Sequence, residues 1–395
     1  MLFACIFIPR IHVGGIATFY RMDLRLEDLL LALVIILVLG VKKSPAFFPE
    51  IPKVEKAFLI FLVTCQISIF SGIFFKTVDK PLMSLLYLIK WFEYFLVFIM
   101  TLRLTSGPKE KRFFLWAFFG LGMAVSLYGY AEYFFPFSKA VYPNYYRLFE
   151  RAPFHGDANH IGGFLSLWIA FFTGLFLSTQ DKTRKWLFFA AIIFAFFPLI
   201  WTYSRKSYFA LAGGALVPAA ILPVNRRRAV FLICILGLLG LLFPTRLSER
   251  LLDLNETFSS VDPFHSSWAG GLHVWKESLW NFERFWMFGS GLGSRHRLFY
   301  ESQYVLILAE TGIVGFAAFS YLCFSLIKEA WRQFFKGVNH NHGMLGGWFL
   351  GFLVMMIHSV SCVSWTVSKI AIPFWFWTAF IFASDASQRQ KVSPR

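Results

Sequence analysis

Three stretches of the chain concentrate side chains able to do chemistry. Thr202-Tyr203-Ser204-Arg205-Lys206-Ser207-Tyr208 sets two cations side by side between two strongly apolar runs. Such a pair can snorkel to a membrane interface, with the tyrosines as anchors. It can also grip a phosphate: the planar fork of Arg205 binds one bidentately, and Lys206 adds a point charge. The run Tyr145–His160 carries Arg147 and Arg151, then His155, Asp157, Asn159 and His160, and leads straight into an apolar segment. Asp157 or Asn159 suits the cap of a following helix. His155, Asp157 and His160 are a thin metal set, because histidine is equally at home in a hydrogen-bonded loop, and no metal is expected. The third stretch, Pro244–Glu301, holds His273, Trp275, Arg284, Arg295, Arg297 and Glu301 among other charges. Its end, Gly289-Ser290-Gly291-Leu292-Gly293, follows no strand pattern, so it is no dinucleotide fingerprint; glycines there allow a turn or close backbone approach.

The elements that must position these groups follow from composition. Of 395 residues, 57% are hydrophobic, 20% aromatic and only 15% charged, against about 25% charged in soluble domains. This excludes a disordered chain. Five cysteines, all in apolar stretches and without a C-x-x-C spacing, exclude a disulfide scaffold and read as small core residues. A net charge of +16 does not point to nucleic acid, because little soluble surface is left to build a groove-reading domain.

What remains is an all-α, polytopic transmembrane bundle forming one domain over residues 1–395. Windows of roughly 20 apolar residues give about twelve spans. These are Leu2–Tyr20 (interrupted by Pro9, Arg10 and His12), Glu27–Val41, Ala57–Phe75, Leu82–Leu102, Phe113–Phe135, Asn159–Ser178, Trp186–Tyr203, Ser207–Leu222, Ala229–Phe243, Gln303–Ile327, Met344–Ser361 and Trp365–Ala383. One alternating set of connections and tails holds 20 Lys and Arg, and the short loops of the other set hold nine. The positive-inside rule then puts both termini in the cytoplasm and residues 244–301 in one long extracytoplasmic loop before the last three spans. Within the spans, Lys90 and Glu93 stand three apart and are expected to pair. Glu310 and Lys369 read either as an interhelical ion pair or as a relay or substrate contact.

The run Arg284-Phe285-Trp286-Met287-Phe288-Gly289-Ser290-Gly291-Leu292-Gly293, followed by Leu306-x-x-x-Glu310-x-Gly312-Ile313-Val314-Gly315, resembles the O-antigen ligase / O-antigen polymerase superfamily. Tyr203-Ser204-Arg205-Lys206-Ser207 is similar to that family's S-R hairpin, and Asp157-Ala158-Asn159-His160-Ile161-Gly162 to its P-N-x-x-G helix start. The sequence departs from the family at three places. Glu301-Ser302 stands where His-Asn or His-Ser is usual, the usual arginine is missing before Trp275, and Trp286 or Met287 replaces a turn proline.

The resemblance implies a glycosyltransferase of the bacterial inner membrane that moves a glycan from a polyprenyl-diphosphate carrier to an acceptor glycan or a lipid A core, with no cofactor. Cations should neutralise the leaving diphosphate and a base should take the acceptor proton. Arg205 is the expected diphosphate ligand, with Arg147, Arg151 and Arg284 behind it, and Asn159, Lys206, Trp275, Arg295 and Arg297 complete the expected substrate contacts. The resemblance favours the Glu301 position for the base; the intrinsic chemistry of an imidazole near neutral pH favours His273. The rival class is a transporter or flippase of lipid-linked oligosaccharide. That would call for inverted repeats and mid-membrane polarity, whereas the sequence offers no repeat and mostly interfacial polarity.

Overall fold

The computed structural model describes residues 2–7, 11–17, 20–24, 30, 33, 53–105, 108–135, 148–149, 158–221, 275–276, 282–294, 302–335 and 342–392. The chain opens with a single short helix, α1 (Leu2–Phe7), and a hairpin of β1 (Ile11–Ala17) and β2 (Tyr20–Leu24), with Ile11 opposite Leu24 and Ala17 opposite Tyr20. This corrects one expectation: Leu2–Tyr20 is not one helical span. Apart from this hairpin, the regular structure among the described residues is helical, as expected. Pro9 follows α1 and lacks the amide a helix interior needs, while Gly14-Gly15 weaken a helix and the flanking Ile and Val favour extended backbone.

Among the described residues nine further helices follow: α2 (Lys53–Phe74), α3 (Pro81–Leu104), α4 (Pro108–Phe134), α5 (Ala158–Ser178), α6 (Lys182–Trp201), α7 (Arg205–Ile221), α8 (Gln303–Phe335), α9 (His342–His358) and α10 (Ser368–Val392). Six of them (α2 to α6 and α8) are long and apolar enough to cross a membrane, and α9 and α10 contain shorter apolar stretches, Gly343–His358 and Ser368–Ala383. The protein is a multi-pass membrane protein. The expected spans Glu27–Val41, apart from Leu30 and Leu33, and Ala229–Phe243 lie outside the described residues, as does most of the loop 244–301.

Helix α5 is the centre of the bundle, with nearly nine-tenths of its apolar window buried. It runs antiparallel to α9. Gly343, Gly347 and Gly351 repeat every four residues along α9, and a Cβ on them would collide with Ser178, Phe171 and Leu167 of α5 in turn. This small-x-x-x-small stripe lets two backbones approach where apolar surface alone provides no drive for helix association in lipid. The indole of Trp168 fills the space left by Gly122 of α4 and donates to the Phe118 carbonyl oxygen at 2.9 Å. Lys90 and Glu93 form the expected ion pair at 2.6 Å.

The alternation of directions sorts the helix ends. One end gathers the starts of α2, α4, α6 and α9, with Lys53, Lys56, Lys111, Arg112, Lys182, Arg184 and Lys185. The other gathers the starts of α3, α5, α7, α8 and α10. The ends of α2, α4, α6 and α9 lie there too, so the helix dipoles largely cancel over the whole end and any positive field is local to the unpaired amides of each helix start.

Candidate functional site

The site is built where α5, α7, α8 and the α9–α10 turn meet at that second end. Residues Thr202–Ser204 connect α6 to α7 in a tight turn. The Thr202 hydroxyl donates to the Leu199 carbonyl oxygen (2.7 Å), and its oxygen accepts the Ser204 amide (3.3 Å). Tyr203 is held at φ +50, a left-handed conformation that costs a non-glycine residue on the order of 1 kcal/mol. Ser204 then precedes α7, and its carbonyl oxygen accepts the Tyr208 amide at 3.1 Å. Arg205 and Lys206, the first two residues of α7, are each half-buried. Their charges therefore stand at the amide-rich start of α7, an arrangement able to hold an anion.

A chain of side-chain hydrogen bonds fixes this turn to the opposite helix hairpin. The Ser207 hydroxyl donates to Ser204 Oγ (2.9 Å) and faces Nε2 of His358 at 3.3 Å. Nδ1 of His358 faces Ser364 Oγ at 2.7 Å. With the Ser207 proton committed to Ser204, the consistent tautomer has His358 donating from Nε2 and accepting at Nδ1 from Ser364. Gly162 and Gly163 of α5 make room for this network. A Cβ at Gly162 would strike the Ser207 and Thr202 hydroxyls, and one at Gly163 would strike the His358 ring. The glycine of the Asn159-x-x-Gly162 motif thus has a packing reason. Cys362 lies in the same turn, buried beside His358 and His160.

Helix α8 enters the same region. The Gln303 amide donates to the Ser359 carbonyl oxygen (2.9 Å), and the Gln303 side-chain oxygen accepts the Trp365 amide (3.1 Å). The Gln303 side-chain NH2 is buried and has no acceptor among the described residues. Farther along, α8 breaks at Gly312 (φ +66, ψ −168). The glycine turn docks into the break. Ser290 and Gly291 amides donate to the Ala309 and Glu310 carbonyl oxygens at 3.0 Å, and Ile313 and Val314 amides donate to those of Trp286 and Met287. Ser68 Oγ of α2 also donates to the Glu310 carbonyl oxygen, at 2.6 Å. The backbone groups freed by the kink are satisfied by protein, as membrane depth requires.

Of the expected site residues, Arg205, Lys206 and Asn159 are placed at this end, Asn159 half-buried in the first turn of α5 rather than capping it. Trp275 is half-buried in a short helical piece. Arg284 is exposed and lies 5.7 Å over the ring of Phe285. Glu301, His273, Arg147, Arg151, Arg295 and Arg297 lie outside the described residues. Sequence reading missed His358, Ser207, Ser364 and Gln303. The signal was present in the polar run His358-Ser359-Val360-Ser361-Cys362-Val363-Ser364 closing an apolar helix. Among the described residues, no group of His, Cys, Asp and Glu is arranged to hold a metal ion.

Residues 189–320 match the family model described as O-antigen ligase. The match runs from inside α6 through α7 and the glycine turn into α8, about a third of the chain. It bears out the resemblance to the O-antigen ligase / polymerase superfamily, and it contains Arg205, Lys206 and both candidate bases. No curated protein matches the chain in sequence.

Proposed function

We propose, from the O-antigen ligase match over residues 189–320 as premise, that the protein is a glycosyltransferase of the bacterial inner membrane. It transfers a glycan from a polyprenyl-diphosphate carrier to an acceptor glycan or lipid A core on the outer face. The single observation that carries this reading is the cationic start of α7, Arg205-Lys206, held half-buried among converging helix starts inside the matched segment.

The chemistry needs an acceptor hydroxyl to attack the anomeric carbon of the carried glycan. The bond from that carbon to the diphosphate oxygen breaks, and the carrier leaves as polyprenyl diphosphate. Arg205 grips the diphosphate and stabilises the charge that grows on it, with Lys206 and the α7 dipole adding to the field. Glu301 takes the acceptor proton, with His273 as the second candidate. His358 acts as a positioning residue, since its bond to Ser207 fixes the turn that presents Arg205. The donor arrives activated on its carrier, so the step calls for no nucleotide sugar. Arg147, Arg151, Arg284, Arg295 and Arg297 remain candidate contacts to the sugar or phosphate, as do Asn159 and Trp275.

The test is genetic. Deleting the protein should remove a surface glycan and leave its carrier-linked precursor to accumulate, and the full-length gene should restore both. Normal surface glycan with no precursor build-up would refute the reading. Loss of the precursor from the outer leaflet would assign the protein to transport instead.

A further inference from the structure

A cavity of about 320 Å³ lies at the opposite end of the bundle from the site above, a volume at the lower limit for small-ligand pockets. It is formed by the other ends of five helices that build the functional end or pack beside it: the starts of α4, α6 and α9 and the far parts of α5 and α10. Lys111, Arg112 and Arg184 line it together with Trp116, Phe188 and Phe380. Among the described residues neither Lys111 nor Arg112 has a carboxylate partner, and Lys111 is half-buried. Arg184 shares its charge with Asp181 at 3.3 Å.

Two cations with no carboxylate partner among the described residues, and a third shared with Asp181, stand over an aromatic and aliphatic floor at a helix-bundle end where the apolar span begins, and present two chemistries at once. The rim suits a phosphate and the floor suits the first carbons of an acyl chain. We infer that this cavity is a binding site for an anionic phospholipid of the basic-side leaflet, with the headgroup phosphate on Lys111, Arg112 and Arg184. Because α5 spans 21 residues, about 30 Å along its axis, the lipid sits a full membrane thickness from Arg205 and does not compete with the carrier. It ties the starts of α4 and α6 to the end of α5, neighbours whose cations otherwise repel.

The full chain, purified and reconstituted, is titrated with phosphatidylglycerol or phosphatidylcholine, and retained lipid is counted by native mass spectrometry alongside thermal unfolding. Retention of phosphatidylglycerol should exceed that of phosphatidylcholine by roughly fivefold per free cation, on the order of 25-fold for Lys111 and Arg112, with Arg184 already shared with Asp181. The K111Q/R112Q/R184Q variant should lose this preference while unfolding at or slightly above the wild-type temperature in phosphatidylcholine, where the repulsion between the cations is gone. The K53Q/K56Q variant, at the same end but outside the cavity, should keep the preference. Equal retention of the two lipids by the wild type would overturn the inference. So would equal loss in K53Q/K56Q, which would mean diffuse attraction to the basic rim. Stabilisation by inorganic phosphate alone, matching that by the lipid, would overturn it in favour of a free-anion site. If the triple variant does not fold, the wild-type titration still decides between these outcomes.

Discussion

The Gly291 amide donates to the Glu310 carbonyl oxygen at 3.0 Å, across a gap of nineteen residues. The two sequence motifs that carry the family resemblance are therefore halves of one joint. The glycine turn supplies amides to the carbonyl oxygens that the α8 kink frees, and carbonyl oxygens to the amides beyond it. A side chain at Gly289 would strike the Glu310 backbone, and one at Gly312 would strike the Met287 carbonyl. The joint also fixes α8 against α2 through Ser68 and Thr77, whose hydroxyls donate to the Glu310 and Ser290 carbonyl oxygens at 2.6 Å.

Gly312→Ala tests this joint. The residue sits at φ +66 and ψ −168, a region essentially closed to side-chain-bearing residues, so alanine should cost about 1–3 kcal/mol before the collision is added. Gly120→Ala is the matched control, since a Cβ there meets nothing within 4 Å and removing a helical glycine should stabilise by roughly 0.5–1 kcal/mol. Thermal unfolding in detergent should shift in opposite directions for the two variants. A shift in the same direction would mean that the kink is not constrained by the turn.

The His358 network can be examined by a double-mutant cycle. Ser364→Ala removes the Nδ1 partner and should cost about 1 kcal/mol, while His358→Leu leaves two buried hydroxyls short of a partner and should cost roughly 1–3 kcal/mol. Together they should cost less than the sum, because both act on one network. Strict additivity would show that Ser364 and His358 do not communicate. Glycan transfer by His358→Leu, measured at a temperature where it remains folded, should fall, since the turn presenting Arg205 loses its tether.

Glu301→Gln and His273→Ala separate the two candidate bases. Glu301→Gln keeps size and hydrogen bonding and removes the charge, so a base role predicts loss of transfer in a protein that still inserts and folds. An unaffected Glu301→Gln beside an inactive His273→Ala would move the role to His273. Full activity in both would leave the proposed step without a base.

Much of the architecture was legible because the bilayer dictates it. A helix that must cross apolar lipid leaves a run of about twenty apolar residues; α2 to α6 follow the expected runs to within about five residues, while α8 starts at Gln303 as expected and runs on past Ile327 to Phe335. Leu2–Tyr20 misled because hydropathy ignores backbone preference, and Pro9 with Gly14-Gly15 decides that segment instead. The Arg205-Lys206 turn was legible as two cations between apolar runs. His358 was not, because one histidine ending an apolar helix has no local partner; its meaning comes from Ser207, 151 residues earlier, which only the antiparallel packing of α7 and α9 brings to it. The kink at Gly312 was equally hidden. A glycine within a helical run reads as tolerated until the turn that fills its break is seen.

The measurement that tests the central claim most directly is release of polyprenyl diphosphate in proteoliposomes holding the purified protein, a carrier-linked glycan and an acceptor glycan or lipid A core. The wild type should release carrier in step with acceptor elongation. Arg205→Lys, which keeps the charge and loses the bidentate fork, should slow release at least about tenfold, with the folded state unchanged in thermal unfolding. Release by Arg205→Lys and Arg205→Ala at the wild-type rate would contradict the account, leaving the start of α7 as a membrane anchor rather than the grip on the diphosphate.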